Sequence, residues 1–158
     1  MDAAFDQLVR DRFLPLHAQA HAGELNEWRE TPIGRLAEII VLDQFSRNMF
    51  RDTPAAFASD DLALQLAQEA VAMGADQSLT PAERAFLLMP FMHSESKRIH
   101  EQAVKLFAAN GTNNNLDFEL RHKAIIDRFG RYPHRNAILG RESSAEESAF
   151  LKQPGSRF

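Results

Sequence analysis

The sequence predicts an all-α fold, an antiparallel bundle or array of helices in one domain over residues 1–158. Three observations carry that expectation. Thr-Pro occurs three times, at Thr31-Pro32, Thr53-Pro54 and Thr80-Pro81. Threonine caps a helix N-terminus, and proline fits the first helical position because no N–H is needed there. Apolar residues recur at helical spacing, as in Leu36, Ile39, Ile40 and Leu42 or Val104, Leu106 and Phe107. No alternating segment is long enough to require a strand. Amphipathic helices joined by short loops bury their apolar faces against antiparallel neighbours.

The elements follow in order. Helices are expected at 2–13 and 15–22, with Pro15 breaking or kinking the pair. The next runs over 32–48 from the Thr31 cap. A helix over 60–73 stops at Gly74, because glycine accepts the left-handed conformation that ends many helices. Thr80 and Glu83 have capping-box spacing and open a helix over 81–88, which Pro90 interrupts. Another begins near His93 or Ser94, covers 92–109 and stops at Gly111. "NGTNNN", residues 110–115, reads as a polar turn before a helix over 116–129. Ser144 and Glu147 form a second capping box for a helix over 145–152. No domain linker, low-complexity stretch or strict 34-residue repeat is visible.

Composition narrows the function classes. The chain has no cysteine, so disulfides and thiolate metal sites are excluded, which suits the reducing cytoplasm where the protein is expected. "MDAAFDQLVRDRF" carries acidic residues and no long apolar core, so no secretory signal is expected. The apolar run near "AEIIVL" is too short to span a membrane. A net charge of −4 argues against a general nucleic-acid coat. Yet residues 121–141 hold Arg121, Lys123, Arg128, Arg131, Arg135 and Arg141 against Asp127 alone, a local +5. With only Tyr132 nearby, this basic stretch lacks the aromatic platform that single-stranded nucleic acid needs.

Three segments could carry chemistry. "LDQFSRNMFR" (42–51) sets Asp43, Gln44, Arg47 and Asn48 among apolar neighbours, and Asp43 and Arg47 are one helical turn apart. Its polar groups either stabilise a neighbouring loop or, in Arg47 and Asn48, point into a cleft. "MPFMHSESKRIHEQ" (89–102) puts His93, Ser94 and Glu95 near an expected helix N-terminus, where unpaired N–H groups favour an anion. His93 and His100 would lie on one helical face, about 10.5 Å apart by helical rise, too far to share a metal ion. No metal or other cofactor is expected. "GRYPHRNAILGR" (130–141) fits no regular period and should be an ordered loop over the core, anchored by Tyr132, Ile138 and Leu139. Arg131 and Arg135, flanking His134, are expected to face inward toward Asp43, Glu95 or an exogenous anion, and Arg141 to lie mainly at the surface. All three segments are expected to meet in space. No nucleophile elbow, phosphate loop or dinucleotide fingerprint occurs.

"LDQFSRNMFR", "MPFMHSES" and "RHKAIIDRFGRYPHRNAILGRESSAEESAFL" resemble the bacterial family known as domain of unknown function 924, as do "FDQLVRDRF", "AGELNEW" and "TPIGRLAEIIVLDQF". The likeness covers nearly the whole chain. It implies an all-helical, tetratricopeptide-repeat-like fold and no particular reaction. Members commonly carry proline where Ser46 stands, so a looser turn after Phe45 is expected. Many carry glutamine at the place of His100, which argues against His100 as a ligand. Members usually have an aromatic-rich segment before "FDQLV". The positions matching the family pattern are Asp43, Gln44, Arg47, Asn48, His93, Ser94, Glu95, Arg131, His134, Arg135 and Asn136.

The leading expectation is a helical binding module whose pocket, drawn from Asp43, Arg47, Asn48, His93, Glu95, Arg131, His134, Arg135 and Asn136, takes an anionic small molecule or peptide. The alternatives are an enzyme with His93 or His134 as general acid or base and Glu95 setting the tautomer, and a scaffold whose polar network only fixes the fold.

Overall fold

The computed structural model describes residues 2–111 and 113–157. The regular structure of the described residues is helical, as expected. In chain order the helices are α1 (Ala3–His21), α2 (Pro32–Ile40), α3 (Ser46–Met49), α4 (Asp60–Ala72), α5 (Pro81–His93), α6 (Lys97–Asn110), α7 (Asn113–Phe129) and α8 (Ala145–Phe150). α5 packs against α2, α4 and α6, α7 packs on α6, and α1 lies on α3. The main core is built of Leu36, Ile39, Leu42, Leu66, Leu87, Leu88, Phe91 and Phe107 with small alanines between them. A second cluster, Ile125, Ile126 and Tyr132, joins α7 to the loop after it.

The capping signals act where the sequence places them. Thr31 accepts the Gly34 N–H at 3.0 Å, and Thr80–Glu83 and Ser144–Glu147 form complete capping boxes. Gly74 and Gly111 sit at φ 72° and 74° and end α4 and α6. Thr53 makes no side-chain cap and opens only a single 3₁₀ turn, Pro54–Phe57.

Pro15, expected to break or kink a helix pair, and Pro90, expected to interrupt a helix, both lie inside helices. α1 continues through Pro15 and α5 through Pro90. Each ring frees the carbonyl four residues earlier. Those carbonyls belong to Asp11 and Phe86, both exposed residues. With α5 extended to His93, α6 starts only at Lys97, so the helix expected over 92–109 is split. His93 therefore ends one helix rather than beginning the next, and His93 and His100 share no helical face. The polar turn expected at 110–115 is short because α7 begins at Asn113; Thr112 lies outside the described residues.

The expected 32–48 helix is continuous in space but contains one π turn, Val41–Phe45. Ser46 continues it into α3 and donates to the Leu42 carbonyl, so the looser turn expected after Phe45 is absent. Gly34, near the start of α2, has no room for a side chain: a Cβ would lie 1.8 Å from the Trp28 carbonyl oxygen. Gly34→Ala should lower stability by about 1–3 kcal/mol, because the obstacle is backbone. A urea unfolding midpoint equal to wild type would contradict this.

Candidate functional site

α5 ends inside the protein. A helix leaves its last carbonyls without intrahelical partners, and here side chains supply the donors. The Tyr132 hydroxyl donates to the Met92 carbonyl. The Arg135 guanidinium donates to the His93 carbonyl at 2.9 Å. His100 Nε2–H donates to the Ser94 carbonyl at 2.8 Å and lies 3.2 Å from the Tyr132 hydroxyl. His100 Nδ1 lies 2.7 Å from Glu119 Oε1, a carboxyl that burial pushes up. The 130–141 loop is thus held over the end of α5 by Tyr132 and Arg135.

The π turn shapes the other wall. Its extra residue turns Asp43 inward, where it is 1% exposed. His93 Nδ1–H donates to Asp43 Oδ1 at 2.6 Å, Gln44 donates to Oδ2 at 2.6 Å, and Arg47 lies 3.2 Å from Oδ1. Burial pushes the Asp43 carboxyl up, but the His93 and Arg47 charges and the two hydrogen bonds bring it down to about 2. Arg47 also forks onto Asp60 of α4, at 2.9 and 3.0 Å. Arg135 reaches the same carboxylate at only 3.4 Å, and its guanidinium lies between the rings of Phe57 and Tyr132, 4.6 Å from each centroid. Its Nε is buried and has no hydrogen-bond partner among the described residues.

A cavity of about 650 Å³ opens between these walls. Among the described residues its lining holds Arg47, Arg51, Arg135 and Arg157 against one carboxylate, Asp52. His93, His122 and His134 line it too. Burial, then Arg47, pushes His93 down against the pull of Asp43. Burial brings His122 down to about 4; burial and Arg135 bring His134 to about 4. At neutral pH the three imidazoles are therefore uncharged. Of the lining guanidiniums, Arg47 is paired with Asp43 and Asp60, Arg51 forks onto Asp6 at 2.6 and 2.8 Å, and Arg135 reaches Asp60 at 3.4 Å. No cluster of three or more histidine or acidic side chains suited to a metal ion occurs among the described residues.

The three sequence segments meet here: His93 bonds Asp43, Arg135 bonds the His93 carbonyl, and Glu95 accepts the Tyr132 N–H at 2.7 Å. Several expected roles are exchanged. Arg131 does not turn inward; it forks onto Glu147 of α8 at 2.7 and 2.8 Å. Arg141, expected mainly at the surface, instead forks onto Glu95 at 2.7 and 2.9 Å. Glu95 is thereby occupied, and Asp43 rather than Glu95 sets the His93 tautomer. Asn48 faces away from the cavity and donates to Asp6 of α1 at 2.8 Å. Asn136 is fully buried and ties Arg141 and Ser143 together within the loop. Asp60, Phe57 and His122 belong to the cluster and were not expected in it. Asp60 reads as an ordinary helix-start carboxylate, but His122 had a signal: it shares a helical face with Ile125, Ile126 and Phe129.

No described helix is long and apolar enough to cross a membrane. Comparison with curated proteins finds no match. The solved structure of a protein of unknown function from Agrobacterium tumefaciens, ATU0120, is similar to this one, with a TM-score of 0.91 and 40% sequence identity over 96% of this chain and 85% of that chain. A family model described as a bacterial protein of unknown function, DUF924, matches residues 1–155, and the chain belongs to that family.

Proposed function

We propose that the protein is a binding module whose cavity takes an anionic small molecule or the anionic end of a peptide. The observation that carries this reading is the guanidinium in the lining: beyond the Arg47–Asp60 and Arg51–Asp6 pairs, Arg135, held to Asp60 at only 3.4 Å, and Arg157 line the cavity against Asp52 among the described residues. Guanidinium recognises carboxylate and phosphate through paired, charge-assisted hydrogen bonds. The unpartnered buried Nε of Arg135 adds a donor that a ligand could satisfy. A cavity of this volume also matches metabolite-sized ligands.

A thermal-shift screen of phosphorylated and carboxylated metabolites tests the reading. A ligand at about 100 times its dissociation constant adds roughly 2.7 kcal/mol of stability. Arg135→Lys keeps the charge but loses the fork, and should abolish the shift. A screen with no shift, or one unchanged by Arg135→Lys, would count against the reading.

The Asp43–His93 pair favours a second reading, an enzyme with His93 as general base. A carboxylate on Nδ1 is the arrangement that orients a catalytic imidazole. Turnover abolished by His93→Ala with binding retained would separate catalysis from binding.

A further inference from the structure

The cavity's polar lining is not made of donors alone. Asp43 is ionised and can only accept, so the proton of the neutral His93 ring sits on Nδ1 and the lone pair on Nε2. Among the described residues His93 Nε2 makes no hydrogen bond, although the side chain is 15% exposed. His122 likewise turns Nδ1 to an acceptor. Its Nδ1 lies 2.7 Å from the Phe118 carbonyl oxygen, which also only accepts, so in the neutral ring the acceptor is again Nε2. Both residues line the same cavity as Arg47 and Arg135. Guanidinium has no lone pair to offer and neutral imidazole fixed in this way has no proton to offer at Nε2.

We propose that the site selects anions that bring their own O–H donor, either a phosphate that retains a proton or a carboxylate with an adjacent hydroxyl, over anions that only accept. This rests on the anion-binding reading and narrows its ligand class. The Arg135 guanidinium, beside the Arg47–Asp60 pair, takes the charged oxygens, and the ligand's O–H points at His93 Nε2. A fully ionised oxyanion meets the same guanidinium but sets an oxygen lone pair against the imidazole lone pair. Leaving a buried acceptor unmet in this way corresponds to about ten- to hundredfold in affinity.

Two matched pairs test the idea by calorimetry or thermal shift at neutral pH. Inorganic phosphate and sulfate are alike in size, but only phosphate retains a proton. Malate and succinate differ by one hydroxyl. Phosphate exceeding sulfate by about tenfold or more assigns a protonated phosphate, and malate exceeding succinate by that factor assigns a hydroxy acid. His93→Ala should bring the winning ratio close to one. Asp43→Asn should reverse the preference: Gln44 holds the new amide oxygen, its NH₂ faces His93 Nδ1, and the ring proton moves to Nε2. If Asp43→Asn does not fold, the His93→Ala ratio decides alone. Equal affinities within both pairs in the wild type would overturn the selectivity and leave the anion site intact. No binding of any of the four at tens of millimolar would overturn the anion site itself.

Discussion

Tyr132→Ala should lower the free energy of unfolding by about 3–5 kcal/mol, the usual range for emptying a large aromatic site in a core. Tyr132 is fully buried, with Ile125 and Ile126 against it and the His100 and His122 rings edge-on to it. It also carries the loop. Its hydroxyl satisfies the Met92 carbonyl, its ring is one face of the Arg135 sandwich, and its N–H bonds Glu95. Tyr132→Phe isolates the hydroxyl. It should cost about 1–3 kcal/mol, because the Met92 carbonyl stays buried without its donor. Urea unfolding at neutral pH measures both. If Tyr132→Ala unfolds within 1 kcal/mol of wild type, about the scale of a surface change, the loop is not the clasp described here.

Much of this architecture was legible because helix ends are local. Thr31, Thr80 and Ser144 act on N–H groups three residues away, and Gly74 and Gly111 act through their own backbone. What a proline does depends on where the freed carbonyl points, and that is tertiary. The sequence therefore predicts a break or kink at Pro15 and an interruption at Pro90, and both helices run on. The site divides in the same way. Polar residues inside apolar segments, such as Asp43, Arg47 and His93, marked themselves. Which arginine takes which carboxylate could not be read, since Arg131 and Arg141 lie ten residues apart in one irregular loop. Glu147 draws Arg131 outward only because α8 folds back beside it, and Glu95 is left for Arg141. The π turn that buries Asp43 has no sequence signal beyond the polar residue itself.

Acid should unfold this protein earlier than ordinary carboxylate titration would. His122 and His134 fall from the usual 6.5 to about 4, through burial first and then through neighbouring charges. Between those values the unfolded chain binds protons that the native chain refuses. Stability is then full above pH 6.5 and falls as pH drops toward about 4. A shift of that size corresponds to at most about 3 kcal/mol per histidine, and the pair together approaches the roughly 5–15 kcal/mol that holds an ordinary domain folded. His17 and His93 are lowered too and act in the same direction. Asp43, brought down to about 2, keeps its contribution through that window and loses it only at lower pH. Urea midpoints measured from pH 7.5 down to about 4.5 should therefore fall steeply, with most of the loss below 6.5. Replacing both residues, His122→Asn with His134→Asn, lowers the midpoint at neutral pH but flattens its pH dependence. That flattening separates proton linkage from lost packing. A wild-type midpoint constant from pH 7 to about 5 would show that these imidazoles accept protons in the native state. In acid the cavity would then be more cationic than the uncharged histidines make it, and His93 Nε2 would donate to a ligand there rather than accept from it.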